Sequence, residues 1–424
     1  MRSHYKRIGD YVTQIKLKNS DDAISNLKGI NINKHFMPSV ANINGTDLSK
    51  YRVVKKNQFA FNPMHVGRDE VLPISMLQSE SSIIVSPAYV VFEVKSEEDL
   101  LPEYLMMWCR RSEFDRNAWF MTDNSVRGGF GWADFCDMEL HLPSIEKQRE
   151  IVREYNVVTD RITLNEQLSQ KLEYTAQTIY KQWFIDFEFP ITKEYADSIA
   201  KLELEGKPYK SSGGEMEYCE ELEQDVPKGW KLVDIGQCCS KVIDNRGKTP
   251  PLSADGTKFL FETFLLDKAF PSIGAGSKYK YVEQDIYDSW FRAGHPTHLD
   301  LLVGTVGNGI PNWGLVPKGK DFCIAQNIVA LRVLEEISPF YLNCFFNTHL
   351  FNTQFNARIK ATAQPSIRVS DLKTINLLLP SDSIMSAFQS IVLPMFELME
   401  TKVMGNISLI NLQDLLLKAL AKKG

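Results

Sequence analysis

Gly247, Lys248 and Thr249 form the tripeptide with which a phosphate-binding loop ends. In such a loop an earlier glycine stands five positions before the glycine of the Gly-Lys pair, so that backbone N–H groups can surround the phosphates of a nucleotide. The residue at that place here is Val242. The loop is therefore incomplete, and the sequence argues against nucleotide hydrolysis at this position.

Other residue sets that could support catalysis are also incomplete. The stretch Asn62–Gly67, NPMHVG, begins like the Asn-Pro-Pro-aromatic loop of DNA methyltransferases, but it lacks the second proline and the aromatic ring. Asp69, Glu93 and Lys95 could supply a nuclease-like carboxylate and Glu-x-Lys set, but this pattern is common by chance, and surface alternation in an apolar strand explains Glu93. Neither HExxH, GxSxG nor a paired Cys/His set occurs. We therefore expect no catalytic residue, no metal ligand and no cofactor in this chain.

Cysteine content and hydropathy indicate where the protein works. The seven cysteines are an odd number without a CxxC pair, which favours reduced thiols in the cytoplasm. Apolar runs are too short to span a bilayer, and the first residues, MRSHYKRIGDYV, lack the apolar region of a secretory signal. We expect a cytoplasmic protein.

The remaining polar residues point to binding. The net charge is −5, but residues 1–68 carry twelve Lys and Arg against four Asp and Glu. Local positive fields attract phosphate, and Asn, Arg and His can read base edges. Candidate DNA-contacting residues in the first half are Lys16, Lys18, Lys34, Arg52, Lys55, Lys56, Asn62, His65, Arg68 and Arg127. In the second half, which includes the Gly-rich loop VGTVGNGIPNWG, they are Arg246, Lys248, Thr305, Asn308, Asn312, Trp313, Arg358, Lys360, Gln364 and Arg368. The alternative, that these are solvated faces and a turn-rich hairpin, stays open here.

The elements that must position these residues occur twice. Four segments of the first half have counterparts in the second, in the same order: RIGDYV and DIGQCC, SIIVSPAYVVFEV and FCIAQNIVALRV, PEYLMMW and PFYLNCF, WADFCDMELHLP and VSDLKTINLLLP. A repeat this long is a strong sign of duplicated architecture. The segment Leu202–Trp230, between the halves, is acidic and rich in Gly, Ser and Pro, as is typical of a linker or a peripheral excursion.

Each half ends in a long predicted helix with an apolar heptad seam. The first seam contains Tyr155, Val158, Ile162, Asn165, Leu172 and Ile179, and the second contains Phe396, Met399, Val403, Asn406, Ile410 and Leu417. Asn165 and Asn406 occupy equivalent seam positions, where a buried asparagine would fix the register of a pair; the alternative is that both face solvent. Pro394 is expected to kink the second helix or to mark its start.

Neither helix can bury its seam alone, so we expect the two to pair. Antiparallel pairing of two globule-then-helix repeats predicts an α+β protein with a globular head at each end of a two-helix coiled coil. The seam from Tyr155 to Ile179 would span roughly 36 Å at 1.5 Å per residue. That length is close to one turn of B-DNA, about 34–36 Å, the spacing that places two reading heads on one face of a duplex.

These motifs resemble the specificity subunit of Type I restriction–modification enzymes over nearly the whole chain. The resemblance rests on VSPAYVVF (Val85–Phe92), on LPSIEKQREIV with the helix run LNEQLSQKLEYTAQTIYKQWFIDFEFP, on VPKGWKLVDIG (Val226–Gly236) and on DLLVGTVGNGIPNWGLV (Asp300–Val316). One departure is LPSDSIMSAFQSIV, which lacks the Glu146 and Gln148 of the first copy. The second strand-to-helix joint is therefore expected to make different contacts.

The resemblance implies a non-catalytic DNA-binding subunit of bacterial or archaeal origin. It implies a target-recognition domain in residues 1–143, a spacer helix in 144–189, an acidic linker in 190–228, a second target-recognition domain in 229–380 and a second spacer helix in 381–424. The domains would each read one half of a split, asymmetric duplex target. Adenine-methyltransferase subunits, expected in two copies, would carry S-adenosylmethionine, and restriction–translocase subunits, where present, would use ATP and Mg²⁺.

Trp183, Phe184 and Phe187 end the first helix with more apolar surface than a thin helix pair can cover. We expect them to dock a methyltransferase subunit or the neighbouring globule; the alternative is that they pack wholly within this chain. Two rival functions are a stand-alone DNA nuclease or methyltransferase, which the incomplete motifs disfavour, and a protein-binding scaffold, which the basic block in residues 1–68 disfavours.

Overall fold

The computed structural model describes residues 5–420 except 40–45, 65, 123–128, 246, 248, 267–268, 274–278, 308 and 361–363. The chain divides into two compact units. Unit 1 consists of Met1–Arg161 with Leu409–Gly424, and unit 2 of Ile162–Ser408. Each unit thus contains one globular head together with part of both long helices. Within the described residues, every helix is too short or too polar to cross a membrane.

The head of unit 1 is built from short strands and helices. The described strands are β1 (Tyr5–Arg7), β2 (Val12–Ile15), β3 (Lys28–Ile30), β4 (Phe36–Pro38), β5 (Arg52–Val54), β6 (Phe59–Phe61), β7 (Ile74–Met76), β8 (Ile83–Val85), β9 (Val90–Val94) and β10 (Glu139–His141). The helices are α1 (Val66–Asp69), α2 (Pro102–Cys109), α3 (Ser112–Met121), α4 (Trp132–Asp137) and α5 (Ile145–Phe184), the last of which continues into unit 2.

Unit 2 repeats this order after an added segment. Its described strands are β11 (Met216–Cys219), β12 (Gln224–Pro227), β13 (Lys231–Asp234), β14 (Cys239–Ile243), β15 (Lys258–Phe261), β16 (Lys280–Val282), β17 (Leu301–Gly304), β18 (Trp313–Leu315), β19 (Phe322–Ile324), β20 (Ile328–Val333) and β21 (Asn376–Leu379). The helices are α6 (Lys193–Ser198), α7 (Gln284–Trp290), α8 (Pro339–Phe346), α9 (His349–Arg358), α10 (Val369–Lys373) and α11 (Asp382–Ala419).

The two heads share the topology of their four-stranded sheet and differ in their other sheets, where β5 pairs antiparallel with β8 in unit 1 but β15 pairs parallel with β19 in unit 2. Unit 1 contains a four-stranded antiparallel sheet in the order β2-β9-β6-β7, and unit 2 contains one in the order β14-β20-β17-β18. In each head a separate antiparallel pair, β1 with β10 or β13 with β21, leads directly into a long helix. The α+β fold with an internal repeat, predicted from the sequence, is confirmed.

The joint between the last strand and the long helix is built alike in both heads. The Tyr104 hydroxyl donates to the His141 carbonyl oxygen at 2.9 Å, and the equivalent Tyr341 hydroxyl donates to the Leu378 carbonyl. One further side chain of the joint differs. The fully buried Gln148 of the first joint is replaced by buried Met385 in the second. The two joints therefore share a tyrosine clamp but not a polar network.

The long helices α5 and α11 pair antiparallel. Within unit 1, Gln413 Nε2 donates to Thr159 Oγ1 at 2.7 Å, and within unit 2, Asn165 Nδ2 donates to Asn406 Oδ1 at 2.7 Å. Both asparagines are buried, as are Tyr155, Val158, Phe396, Met399, Val403 and Leu417, whereas Ile162, Leu172, Ile179 and Ile410 are half-buried. Helix α11 runs through Pro394, so the expectation that this proline marks the start of the helix is wrong.

The segment 190–228 is folded. It contains α6 and the β11–β12 hairpin, and its Ile191, Tyr209 and Val226 side chains are buried in the core of unit 2. The acidic residues that mark this segment in the sequence are mostly exposed. Its composition therefore reflects a peripheral excursion that packs on unit 2.

Candidate nucleic-acid interface

Four basic candidates of the first head are exposed to solvent. Lys16 and Lys18 follow strand β2, and Lys55 and Lys56 occupy the turn between β5 and β6. Lys56 forms an ion pair with Glu80. Exposed ion pairs of this kind contribute little to stability, so these cations remain available to neutralise phosphate.

Arg52 lies beside Lys18, because the two residues form an isolated antiparallel bridge. The Arg52 side chain is half-buried, and its Nε donates to the Pro87 carbonyl oxygen at 3.0 Å. That bond fixes the direction of the guanidinium while leaving its other N–H groups able to donate. Arg52 and Lys18 therefore form one basic site on this head.

Lys34 is a correction to the sequence-based interpretation. Only 4% of its surface is exposed, and its Nζ lies 2.8 Å from both carboxylate oxygens of Asp115 and also donates to the Cys109 carbonyl. Burial lowers the pKa of Lys34, whereas the neighbouring Asp115 carboxylate opposes that shift. The ammonium is held inside the head and is not available to phosphate.

Asn62 is also buried and has a structural role. Its Oδ1 accepts from the Met64 N–H at 3.1 Å, which shapes the turn after β6, and its Nδ2 donates to the Tyr89 hydroxyl at 3.4 Å. The expectation that Asn62 reads bases is therefore wrong, because both ends of its amide bond within the head. His65, Arg127 and the Arg68 side chain lie outside the described residues.

The Gly-rich loop of the second head positions its polar residues inward. Thr305 is fully buried and its hydroxyl has no hydrogen-bond partner, while Asn312 Nδ2 donates to the Thr263 carbonyl at 3.1 Å. Trp313 lies on β18 with its ring edge-on to Phe346 and Phe351, at 5.8 Å and 6.0 Å. These three side chains make their contacts within the second head, so the prediction that they contact DNA is wrong. Asn308, Arg246 and Lys248 lie outside the described residues.

A second group of candidates lies at the end of helix α9. Arg358 closes this helix: its Nη1 donates to the Gln354 carbonyl at 2.9 Å, and its Nε and Nη2 donate to Thr374 at 3.1 Å and 3.0 Å. Lys360, Gln364 and Arg368 are exposed near it. These three residues are among the polar side chains that this part of the second head presents to solvent.

Buried polar residues that the sequence pattern did not single out stabilise both heads. Arg332 on β20 makes a bidentate ion pair with Asp300, with N–O distances of 2.9 Å and 2.8 Å. The Arg111 guanidinium lies 4.1 Å from the centre of the Trp108 ring. The partners lie far apart in the chain or depend on side-chain geometry, so only the tertiary structure identifies their roles.

The aromatic end of α5 is covered by the same chain. Trp183, Phe184 and Phe187 are buried, and the Phe184 ring lies 4.8 Å from Tyr341 and 4.9 Å from Phe388. Of the two expected contacts, docking of a methyltransferase subunit on these rings is therefore wrong. The three side chains instead pack on the neighbouring globule, because Tyr341 belongs to the head of unit 2.

Exposed apolar side chains lie elsewhere on the paired helices. In unit 2, Ile391 and Leu398 are one heptad apart on α11, and Leu164 is exposed on α5. In unit 1, Val157, Leu412 and Leu415 are exposed on the same two helices. Each unit therefore has exposed apolar side chains on its part of the two long helices.

Comparison with known proteins gives two curated relatives. The chain is 24% identical over 291 residues to the Type I restriction enzyme HindI specificity subunit of Haemophilus influenzae, covering 58% of this chain and 61% of that protein. It is 20% identical over 270 residues to the MjaIX specificity subunit of Methanocaldococcus jannaschii, covering 62% of this chain and 54% of that protein. The chain thus spans less than two thirds of either relative. The resemblance to Type I specificity subunits, predicted from the motifs, is confirmed.

Solved structures with similar chains cover nearly the whole sequence. They include a subunit of a type I R-M system (14% identity, TM-score 0.37), the HsdS subunit from Thermoanaerobacter tengcongensis (16%, 0.34) and the S subunit from M. genitalium (11%, 0.48). These alignments cover 98%, 99% and 98% of this chain, and 96%, 96% and 95% of the other chains. No family model matches the chain.

Proposed function

We propose that this chain is the non-catalytic DNA-specificity subunit of a Type I restriction–modification complex. The observation that carries the proposal is the duplicated head, with one sheet order and one tyrosine-clamped joint to a long helix in each copy. Two similar but non-identical heads suit a split, asymmetric duplex target, because each head can read one half. The similarity to two specificity subunits supports the same function.

Contact with DNA is proposed from the exposed basic and amide groups. Lys16, Lys18, Lys55 and Lys56 on the first head, and Lys360 and Arg368 on the second, are exposed and can neutralise phosphates. Phosphate contacts position a protein without specifying sequence, so the base-reading groups must lie among neighbouring exposed polar side chains. DNA as the target places the protein in the cytoplasm.

The catalytic partners are proposed to be two adenine-methyltransferase subunits, which would carry S-adenosylmethionine. Restriction–translocase subunits, in a complex that has them, would use ATP and Mg²⁺. The exposed apolar surfaces of α5 and α11 are the proposed attachment sites, since Trp183, Phe184 and Phe187 are buried. An α-helix of the partner that packs on such a surface would extend the helix pair into a bundle.

The test is genome-wide mapping of methylated adenines in cells that express this chain with the methyltransferase encoded beside it. A strain that lacks only this chain is the control. We expect a split motif that disappears when the chain is removed. Contiguous methylated motifs, or a split motif that survives removal of the chain, would contradict the proposal.

A further inference from the structure

The turn between β3 and β4 in the first head is held in one shape by its own hydrogen bonds. The Asn31 N–H donates to the His35 carbonyl at 3.1 Å, and the His35 N–H donates to Asn31 Oδ1 at 2.9 Å. The Lys34 N–H donates to the Asn31 carbonyl at 3.0 Å. Residues 31–35, here called the hairpin tip, therefore form a closed loop.

Lys34 anchors the hairpin tip to helix α3. Its backbone is left-handed, with φ of 63°, an uncommon conformation for a residue with a Cβ. Its Nζ reaches both Asp115 oxygens at 2.8 Å, and Asp115 Oδ1 also accepts from the Leu72 N–H at 3.1 Å. The loop is thus fixed from inside by a buried ion pair, which pre-organises whatever the loop presents outside.

The other side chains of the tip face solvent. Ile32 is 45% exposed, although it is a large apolar residue, and Asn33 and His35 are exposed polar residues beside it. An amide can make two hydrogen bonds to adenine in the major groove, and an apolar side chain can contact the thymine methyl group. The three exposed side chains therefore match the donor, acceptor and methyl pattern of an A·T pair.

The electrostatic surroundings also favour DNA. The hairpin lies in the stretch 1–68, which contains twelve Lys and Arg residues but four Asp and Glu residues. The protein atoms that partly surround the His35 imidazole lower its pKa, and the nearby positive charge of Arg110 lowers it further. Arg110 therefore adds a positive charge close to His35, whereas the charge of Lys34 is paired with Asp115.

We propose that Ile32, Asn33 and His35 are base-reading residues of the first head, and that Lys34 and Asp115 are positioning residues which fix them. This inference rests on the proposed function and deepens it, because it names the side chains that contact one half of the split target. Asn33 is the sharpest prediction, since adenine is the base to which its amide can make two hydrogen bonds in the major groove, at N6 and N7.

The experiment maps methylated adenines for the Asn33→Ala variant in the complete complex. We expect one A·T position in one half of the split motif to lose its preference by about tenfold, the loss typical of one base contact. The other half and the gap should stay unchanged. Asn26→Ala is the matched control, because Asn26 is exposed in the same segment but lies before β3. The methylated DNA motif of the Asn26→Ala variant should be the same as that of the unmodified protein.

Lys34→Met tests the positioning role with the same readout. We expect relaxed preference at the position that Asn33→Ala affects, because the tip loses its anchor. A lysine that merely stabilises the head would instead lower methylation at all sites without changing the motif. Thermal unfolding of the variant, measured separately, gives its loss of stability.

The outcomes separate this inference from the proposed function. A split motif that depends on the chain but is unchanged by Asn33→Ala, Ile32→Ser and His35→Ala would overturn the hairpin assignment and leave the proposed function standing. A genome in which no split motif depends on the chain would overturn the proposed function, and the hairpin assignment with it.

Discussion

Gln148 shows how a single side chain can define a joint. It is fully buried, its Oε1 accepts from the Leu101 N–H at 3.0 Å, and its Nε2 donates to the carbonyls of Asp99 and Pro143 at 2.9 Å and 3.0 Å. The loop before α2 and the start of α5 are thereby connected through one amide. In unit 2 the buried Met385 takes this place and provides only apolar contact.

The Gln148→Met variant places the residue of the second joint in the first. We expect a loss of about 1–3 kcal/mol in the free energy of unfolding, because three backbone groups lose their partner in a partly buried site. Chemical denaturation of the full chain measures it. Met385→Leu is the matched control at the second joint and should cost less than about 1.5 kcal/mol, since it keeps volume and polarity. Equal costs for the two variants would contradict the polar role of Gln148.

The residue scale also shows what the sequence could not specify. The chemistry of Lys34, Thr305 and Trp313 suits DNA, but residue type does not reveal exposure. Lys34 is buried because Asp115, 81 positions later, supplies a counter-charge, and Trp313 packs against Phe346 of α8 and Phe351 of α9. Such partners are distant in the chain, so no local pattern predicts them. Glu146 and Gln148 could be recognised as a motif in the sequence. The three hydrogen bonds of the Gln148 side chain could not be predicted from it.

At the scale of elements, periodic patterns were the reliable signal. The heptad spacing predicted both long helices and placed Asn165 and Asn406 at equivalent positions, and in unit 2 their amides form a hydrogen bond of 2.7 Å. The spacing works because 3.5 residues per turn keeps one stripe facing its partner along the whole helix. Pro394 misled the prediction, since a proline within a helix often ends it, yet α11 continues through it.

The asparagine pair supports a prediction about register. Asn165→Val alone should destabilise the chain by about 1–3 kcal/mol, because Asn406 keeps a buried amide without its main partner. The double variant Asn165→Val/Asn406→Val should recover that loss, since an apolar pair needs no hydrogen bond. Denaturant unfolding of both single variants and the double variant gives the coupling energy. Additive losses would show that the two amides act independently.

The whole molecule is proposed to bind the methyltransferase subunits as well as to read DNA. The proposal predicts which surface those subunits contact. Replacing Ile391 and Leu398 together by Ser should weaken assembly with the methyltransferase subunit at least about tenfold, because apolar burial dominates such contacts. Titration of the purified subunits, followed by size-exclusion chromatography, measures the affinity. Thr401→Ser, exposed on the same helix, is the control and should assemble like the unmodified chain. Unchanged assembly of the double variant would exclude this surface.

Helix length is the property of the whole molecule that the proposed function ties most directly to its DNA target. Deleting residues 166–172 and 399–405 removes one heptad from each helix and keeps Asn165 opposite Asn406, because the deleted segments face each other in the antiparallel pair. Each helix shortens by about 10 Å at 1.5 Å per residue, which corresponds to about three base pairs. We therefore expect a methylated motif with a shorter gap, or no methylation if the heads no longer reach one face of the duplex. The deletion also removes the contacts of Glu400 with His298 and Lys318 in the second head. Both half-sites should keep their sequence where methylation persists, because no strand of either four-stranded sheet lies in the deleted segments. Methylation at the original spacing would show that the helix pair does not set the gap.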